Sequence, residues 1–346
     1  MGGGRTTPII WCLTAAALFG ASTPAAKALE AHFGPWTLAG LFYLGAALAV
    51  LPFSFRGGSR TLRRKKRNLL MLLGAVVFGG GLGPVLLLTG LSMTEHSASV
   101  ALWLNLETAG TALLAWLLFR EHLDGRTWLA AGLTVAAAVL LAAPSGFGDR
   151  LPALLVGLGC LCWGMDNNLT ALVDGFTPQQ TTLVKGLVAG SAVFGLSFLV
   201  EDPDLPLVPV LSALAVGGLA YGASIVLYIK GAQHLGATRS QILFSTSPFL
   251  GGIFAWVFLG EAVLVVQIVA AVVMVIALRL LLTAKHGHAH RHDPQLHTHD
   301  HRHDDGHHNH VHPGLPAWIR HTHEHDHEEM EHEHPHEPDL HHRHSH

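Results

Sequence analysis

Apolar runs of about 20 residues, long enough to cross a bilayer as a helix, recur from near the amino terminus to residue 284 and then stop. They lie near 8–28, 35–55, 68–91, 97–119, 127–143, 152–173, 181–200, 208–230, 238–259 and 261–282. In lipid only helices and closed barrels satisfy their own backbone groups, and runs this long and continuous are not barrel strands. The pattern predicts an all-α polytopic membrane protein with ten transmembrane helices. Small residues four apart, at Gly79/Gly83, Gly186/Gly190 and Gly218/Gly222, predict close helix contacts. The cluster Gly79-Gly80-Gly81-Leu82-Gly83 lies inside a span with no Lys-Ser/Thr after it. Packing or a local helix break therefore fits it better than a phosphate loop.

The polar interruptions repeat as well. Asn105-Leu106-Glu107-Thr108 leads to Ala115, Trp116 and Glu121; 140 positions later, Ser245-Thr246-Ser247-Pro248 leads to Ala255, Trp256 and Glu261. Self-similarity on this scale indicates a duplicated unit. The ten spans divide five and five around Pro144-Ser145-Gly146-Phe147-Gly148-Asp149, giving repeats at 1–145 and 146–284. With an odd number of spans per unit the two copies cross the membrane in opposite directions. Inverted repeats of this kind bind substrate near the midplane, between the halves.

Charge sets the orientation. Half of the 346 residues are hydrophobic and 13% are charged, but Arg56 to Arg67 between the second and third spans holds seven basic residues. The positive-inside rule puts that loop in the cytoplasm of a cell whose inner or plasma membrane holds the protein, and both termini with it. Between two spans the run reads as topology, and no nucleic-acid partner is expected. Arg5 ahead of an apolar run resembles a signal peptide, but the later runs make it the first of many spans, without cleavage. Cys12, Cys160 and Cys162 sit in apolar runs and read as small core residues, not as a disulfide framework or zinc site.

The duplicated Ala-Trp-x-x-x-x-Glu endings, the opening Phe19-Gly20-Ala21-Ser22-Thr23-Pro24 and its counterpart Trp163-Gly164-Met165-Asp166-Asn167 resemble the EamA repeats of the drug/metabolite transporter superfamily. The resemblance runs over roughly residues 8–282. It implies a proton-coupled or exchange carrier for a small molecule. Members of the family carry amino acids, sugar-linked compounds, nucleotide precursors and drugs, so the resemblance implies no single substrate.

Charged groups deep in a bilayer cost about 2.5–3.5 kcal/mol each even on lenient scales, and they mark cavities and partners. Glu107 lies near the middle of the fourth span, Asp166 past the middle of the sixth, and Lys185 in the seventh. The antiparallel sixth and seventh spans should bring Asp166 and Lys185 to one depth as an ion pair, unless Lys185 snorkels to the interface. Thr170 shares the face of Asp166, with Cys162 one turn earlier, and Asn167 and Asn168 follow it. Trp103, Glu107 and Thr111 form a second stripe, with Asn105 beside it. Tyr221, Ser224 and Tyr228 form a polar edge in the eighth span, and Ser245-Thr246-Ser247-Pro248 should loosen the ninth. The candidate substrate-binding set is thus Asn105, Glu107, Asp166, Asn167, Thr170, Lys185, Tyr221, Ser224 and Ser245. Hydroxyl and amide side chains inside spans also serve as glue between helices. Carboxylates in apolar surroundings suit reversible protonation during transport. Trp116, Trp256 and Glu261 read as interfacial anchors and helix ends.

Residues 285–346 hold 23 of the 27 histidines. Alternating positions recur at His286, His288, His290 and His292; His297, His299, His301 and His303; His321, His323, His325 and His327; and His332, His334 and His336. Neighbouring imidazoles in an extended segment can share Zn, Ni, Co or Cu, and the sequence does not choose among them. Few apolar residues and several prolines predict a tail disordered without metal.

Two functions compete. The first is a permease for a small organic metabolite or drug, whose tail buffers or senses metal and which requires no cofactor. The second is a transition-metal transporter or metal-responsive membrane sensor. His32, His96, His122 and His234 lie in a loop or near span ends, a thin ligand set for a metal path. No nucleophile or phosphate motif indicates an enzyme. A homodimer is left open.

Overall fold

With no water to bond in the apolar stretches, backbone groups bond within their own segment, and in the computed structural model most of the described residues before 284 are helical. It describes residues 3–54, 66–119, 125–142, 150–171, 173, 176–235, 243–283, 286–292, 295–301, 321–327 and 330–336. The chain falls into two compact units, Met1–Ala284 and Lys285–His346.

In the first unit the described helices are α1 (Gly3–Gly20), α2 (Ser22–Leu29), α3 (Pro35–Ser54), α4 (Lys66–Ala75), α5 (Gly83–Ser92), α6 (Ser97–Trp103) and α7 (Leu106–Phe119). They continue with α8 (Gly125–Ala142), α9 (Arg150–Ala171), α10 (Pro178–Val200), α11 (Leu207–Gly217), α12 (Ser224–Leu235), α13 (Ser247–Phe258) and α14 (Val265–Thr283). Among the described residues six segments are long and apolar enough to cross a membrane: Thr7–Leu29, Pro35–Ser54, Asn68–Ser92, Ser97–Leu118, Gln179–Val200 and Leu207–Gly231. Gly125–Leu141, Ser247–Phe258 and Val265–Leu280 are shorter apolar helices. Large apolar side chains such as Leu199, Phe258 and Val265 face outward, the surface expected of helices solvated by lipid.

Irregular backbone recurs at matching places. A π-helical turn at Val76–Leu82 joins α4 to α5, and another at Gly218–Ala223 joins α11 to α12. The fourth apolar run breaks at Leu104–Asn105, and the ninth has a turn at Ser245–Thr246 just before α13. The first of these falls within the predicted stripe of Trp103, Glu107 and Thr111. Trp103 points elsewhere, its indole Nε1 donating to the Ala138 carbonyl at 3.1 Å. Thr111 and Glu107 remain one turn apart, with Oγ1 of Thr111 donating to the Glu107 carbonyl at 2.8 Å. Gly79, Gly80 and Gly81 of the glycine cluster lie in the π turn, and Gly83 opens α5.

The core forms around α3, which packs between α10 and the π turn at Gly218–Ala223. Leu38 and Phe42 of α3 are buried, as are Leu91, Leu102 and Trp103. The expected small-residue contacts are made there: Gly186 lies against the backbone of Tyr43, and Gly222 against Ala49. The start of α10 is fixed locally by a capping box. Gln180 N–H donates to Thr177 Oγ1 at 3.2 Å, Thr177 N–H donates to Gln180 Oε1 at 3.0 Å, and Pro178 occupies the first turn.

In the second unit four segments are described. Strands β1 (His286–His292) and β4 (Met330–His336) pair antiparallel, and β2 (Gln295–His301) pairs with β3 (His321–His327). The two-residue His-x-His period is also the period of a strand, which allows an ordered ladder without an apolar core. The register sets His288 opposite His334, His290 opposite His332, and His299 opposite His323. His303, expected among the metal ligands, lies outside the described residues.

Candidate functional site

The expected ion pair forms. Lys185 Nζ on α10 lies 2.8 Å from Oδ1 and 2.7 Å from Oδ2 of Asp166 on α9. Thr170, one turn on, donates its hydroxyl to Asp166 Oδ1 at 2.9 Å. Asp166 is 7% exposed, so the pair is largely removed from solvent. In such a setting neither charge is tolerable alone, because losing one partner strands the other. Lys185 does not snorkel away.

The neighbouring residue serves the other side of the same helix. Asn167 Nδ2 donates to Glu107 Oε1 at 2.8 Å and to Thr111 Oγ1 at 3.3 Å, reaching α7. Asn168 adds a second tie to α7, donating to the Thr111 carbonyl at 3.1 Å and to the Gly164 carbonyl at 2.8 Å. Successive helical positions point about 100° apart, so α9 is a strut with Asp166 turned to α10 and Asn167 turned to α7. Asp166, Thr170, Lys185, Glu107 and Asn167 are thereby brought to one helix.

Residues not singled out by the sequence complete the surroundings. Tyr43 donates its hydroxyl to the Gly79 carbonyl, and Trp163 Nε1 donates to the same oxygen at 3.1 Å. Gly79 lies in the first π turn, directly against the Asp166 carboxylate, where a methyl group would collide with Oδ2. Only glycine lets the backbone approach the carboxylate this closely. Aromatic rings close round: Phe19 lies 5.6 Å from Tyr221 and 6.3 Å from Trp163, and Tyr43 lies 5.6 Å from Tyr221. The one available signal was Trp163, adjacent to Gly164 in the repeated motif. Tyr43 carried none, because its partner carbonyl belongs to a turn that no short pattern reveals.

Three candidates lie apart from the contacts of α9. Ser224 donates to the Ala15 carbonyl at 3.1 Å and joins α12 to α1. Asn105 bonds the Leu102 carbonyl at 2.9 Å and approaches Met274 Sδ at 3.5 Å, beside a cleft lined by Thr108, Thr127 and Thr134. Ser245 is buried in the turn before α13. Tyr221 and Ser224 of the expected edge both face α1, where they meet Phe19 and the Ala15 carbonyl. Tyr221 meets Phe19 and Tyr43, whereas Tyr228 meets Phe244 at 5.0 Å.

Two glutamates tie helix starts. Glu201 accepts from Trp36 N–H at 2.7 Å, Thr37 N–H at 3.0 Å and Thr37 Oγ1 at 2.6 Å, at the beginning of α3. Glu261 accepts from Ser97 N–H at 2.9 Å, Ala98 N–H at 3.1 Å and the Ser97 hydroxyl, at the beginning of α6. The unbonded N–H groups and positive dipole end of a helix favour a carboxylate there. Glu261, read as a helix end, is therefore the cap of another helix. Its repeat counterpart Glu121 lies outside the described residues.

Residues 6–143 and, a second time, residues 150–283 match the EamA-like transporter family. The chain belongs to that family. An uncharacterized transporter of Methanothermobacter thermautotrophicus is 27% identical over 284 residues, covering 76% of this chain and 82% of the relative. A crystal structure of 17% identity superposes with a TM-score of 0.56 over 80% of this chain and 96% of the other, a likeness of fold alone. As an EamA-like transporter the protein is a multi-pass membrane protein that works on a small molecule from within a lipid bilayer. Its central contact has a definite place in the family pattern. Helix α7 belongs to the first matched segment and α9 to the second, so Asn167 and Glu107 meet where the segments join.

Proposed function

We propose that this EamA-like transporter is a secondary permease that moves a small organic metabolite or drug by alternating access. In this reading ten spans form two inverted five-helix repeats, 1–145 and 146–284, in a cell membrane with both termini cytoplasmic. The second family match, the π turns at Val76–Leu82 and Gly218–Ala223, and the interruptions at 104–105 and 245–246 support the repeat. So does the reciprocal packing of α1 on α12 and α5 on α9, since each pair joins corresponding helices of the two segments in exchanged roles. The seven basic residues at 56–67 support the orientation.

The observation that carries the reading is the Asp166–Lys185 pair backed against the Asn167–Glu107 contact inside an apolar bundle. Carboxylates there are costly unless used. Glu107 and Asp166 serve as the groups that respond to protons and substrate, Lys185 as the counter-charge, and Asn167 and Thr170 as orienting donors. The deciding experiment reconstitutes the protein in liposomes and follows pH-gradient-driven uptake from a labelled metabolite extract. Glu107→Gln and Asp166→Asn should each abolish that uptake with insertion intact. Full uptake by both variants would remove this centre from the mechanism.

The metal-transport reading is weaker. Among the described residues no three His, Cys, Asp or Glu side chains are grouped to hold an ion. Metal binding by the tail remains an accessory role, supported by its alternating histidines. Cellular metal content in a deletion strain, complemented with the full chain or with one truncated after Lys285, tests it. Equal rescue by both would make the tail dispensable.

A further inference from the structure

Two matching positions of the repeated motif differ in exposure. Asn167 lies three positions after Gly164 on α9, and Thr23 lies three positions after Gly20, on α2. Asn167 is exposed and gives its amide to Glu107 Oε1 at 2.8 Å and Thr111 Oγ1 at 3.3 Å. An exposed amide bonded to a carboxylate faces water, since lipid would leave both groups short of partners. Thr23 is 3% exposed, and among the described residues its buried Oγ1 has no partner. A helical threonine commonly bonds the carbonyl four residues back. Here that carbonyl, of Phe19, already accepts from Ser22 Oγ at 2.6 Å. Leaving the Thr23 hydroxyl unbonded costs stability in this conformation.

The same helix carries a second such atom. Among the described residues the other buried side-chain oxygen without a partner is Glu30 Oε1. Thr23, Lys27 and Glu30 follow one another at four and three residues, so they share one face of α2. That face carries polar groups from the end of the span about 10 Å inward. Lys27 Nζ holds Glu30 Oε2 at 2.8 Å and the Leu91 carbonyl, at the end of α5, at 3.2 Å. Helices α6 and α13 pack on α2. All seven residues of α6 are buried, and Glu261 binds its first N–H groups. The end of the bundle that holds Glu30 is therefore shut around Thr23, while Asn167 lies open.

We propose that Thr23 is the outer counterpart of Asn167 in the transport path, sealed in this conformation and exposed when α2 separates from α6 and α13. Its hydroxyl then bonds the permeant. It offers one donor and an uncharged acceptor, which suits a hydroxyl, amide or carbonyl group. Lys27 and Glu30 lie further out on the same face, at the mouth. The inference rests on the alternating-access reading above and adds to it a residue of the outward-open form.

Two measurements on the full-length protein test it. The first places Thr23→Cys in a Cys12→Ala, Cys160→Ala, Cys162→Ala background and treats intact cells with a membrane-impermeant methanethiosulfonate. Modification from outside is expected, and excess metabolite extract should slow it at least about twofold by occupying the path. The second compares Thr23→Val and Thr23→Ser in liposomes. Thr23→Val should lower uptake from the same extract at least about fivefold, the rate equivalent of one hydrogen bond, and Thr23→Ser should retain it. Because the hydroxyl is unbonded in the closed form, Thr23→Val should leave thermal unfolding in detergent unchanged or raise it. A hydroxyl with only a structural role would lower it. Absence of outside modification, full uptake by Thr23→Val, or a loss of thermal stability in Thr23→Val would overturn the proposal. If Thr23→Val transports normally while Glu107→Gln does not, the outer contact is wrong and the carrier reading stands. If the wild type takes up nothing and Thr23→Cys stays unmodified, both fall.

Discussion

Where α9 crosses α7, Gly164 lets the backbones close until an added methyl would lie 2.8 Å from the Thr111 nitrogen. Where α1 meets α13, Gly20 does the same against the Ser247 carbonyl and the Gly251 nitrogen. Gly20 and Gly164 are counterparts in the repeated motif, and the two crossings are close in form. Their chemistry differs. The first carries Asp166 and Glu107; the corresponding positions of the second are Ser22 and Ser247. Ser22, at the start of α2, donates to the Phe19 carbonyl at the end of α1 at 2.6 Å, and both serines are buried. One crossing joins a carboxylate and an amide across helices, whereas the other carries only uncharged hydroxyls at the matching positions. Duplication thus preserved the packing device, while the charge was concentrated at one of its two sites.

The largest effect should come from making the crossings alike. Asp166→Ser or Glu107→Ser should lower liposome uptake on the order of a hundredfold, the rate equivalent of about 3 kcal/mol. Ser22→Ala and Ser247→Ala should leave uptake within about twofold, since neither serine carries a charge whose loss strands a partner. Comparable losses at both sites would end the distinction. The glycines test the shared part. Gly20→Ala and Gly164→Ala should each destabilise the protein by about 1–3 kcal/mol through overpacking, measured as thermal unfolding in detergent. A loss at one position alone would mean that the crossings are not equivalent.

A smaller effect concerns the caps that Glu201 and Glu261 place on α3 and α6, each joining one matched segment to the other. Alanine at either position should cost about 1 kcal/mol, the usual worth of a helix cap, again by thermal unfolding. The smallest concerns Glu30, just beyond the first span, where Lys27 Nζ lies 2.8 Å from Oε2 and Oε1 is buried without a partner. Burial pushes its carboxyl above the ordinary value of 4.5, with Lys27 pulling the other way. A raised folded-state value means that the folded protein holds the proton more tightly than the unfolded chain. Its stabilising contribution is therefore complete below the ordinary value and declines as pH rises through the raised one. Relative to Glu30→Gln, the wild type should lose thermal stability as pH rises above the ordinary value of 4.5; a constant difference would dismiss the effect.

Much of the helical unit was legible because spanning length and apolar content are one-dimensional properties. The Asp166–Lys185 pair was legible for a related reason: antiparallel neighbours at similar depth must bring two buried charges together. Asn105 and Ser224 were less legible because a polar side chain in a helix has nearby backbone carbonyls to bond, and sequence spacing does not tell that use from ligand binding. The π turns were hidden because they change register without changing composition. Tyr43 stayed invisible because nothing local marks a tyrosine whose hydroxyl meets a carbonyl 36 residues away.

By itself the sequence determined that this is a helical membrane protein built from a duplicated unit, with costly charges at Glu107, Asp166 and Lys185 and a tail of alternating histidines. Those facts follow from hydropathy, repetition and the price of burying charge, none of which needs coordinates. Only the tertiary structure decided that α9 is the shared strut, that Asn167 engages Glu107, and that Gly79 brings an aromatic-lined turn against Asp166. Such contacts depend on helix register and on backbone approach across distant segments. Both are set by packing, which a chain read one residue at a time does not contain.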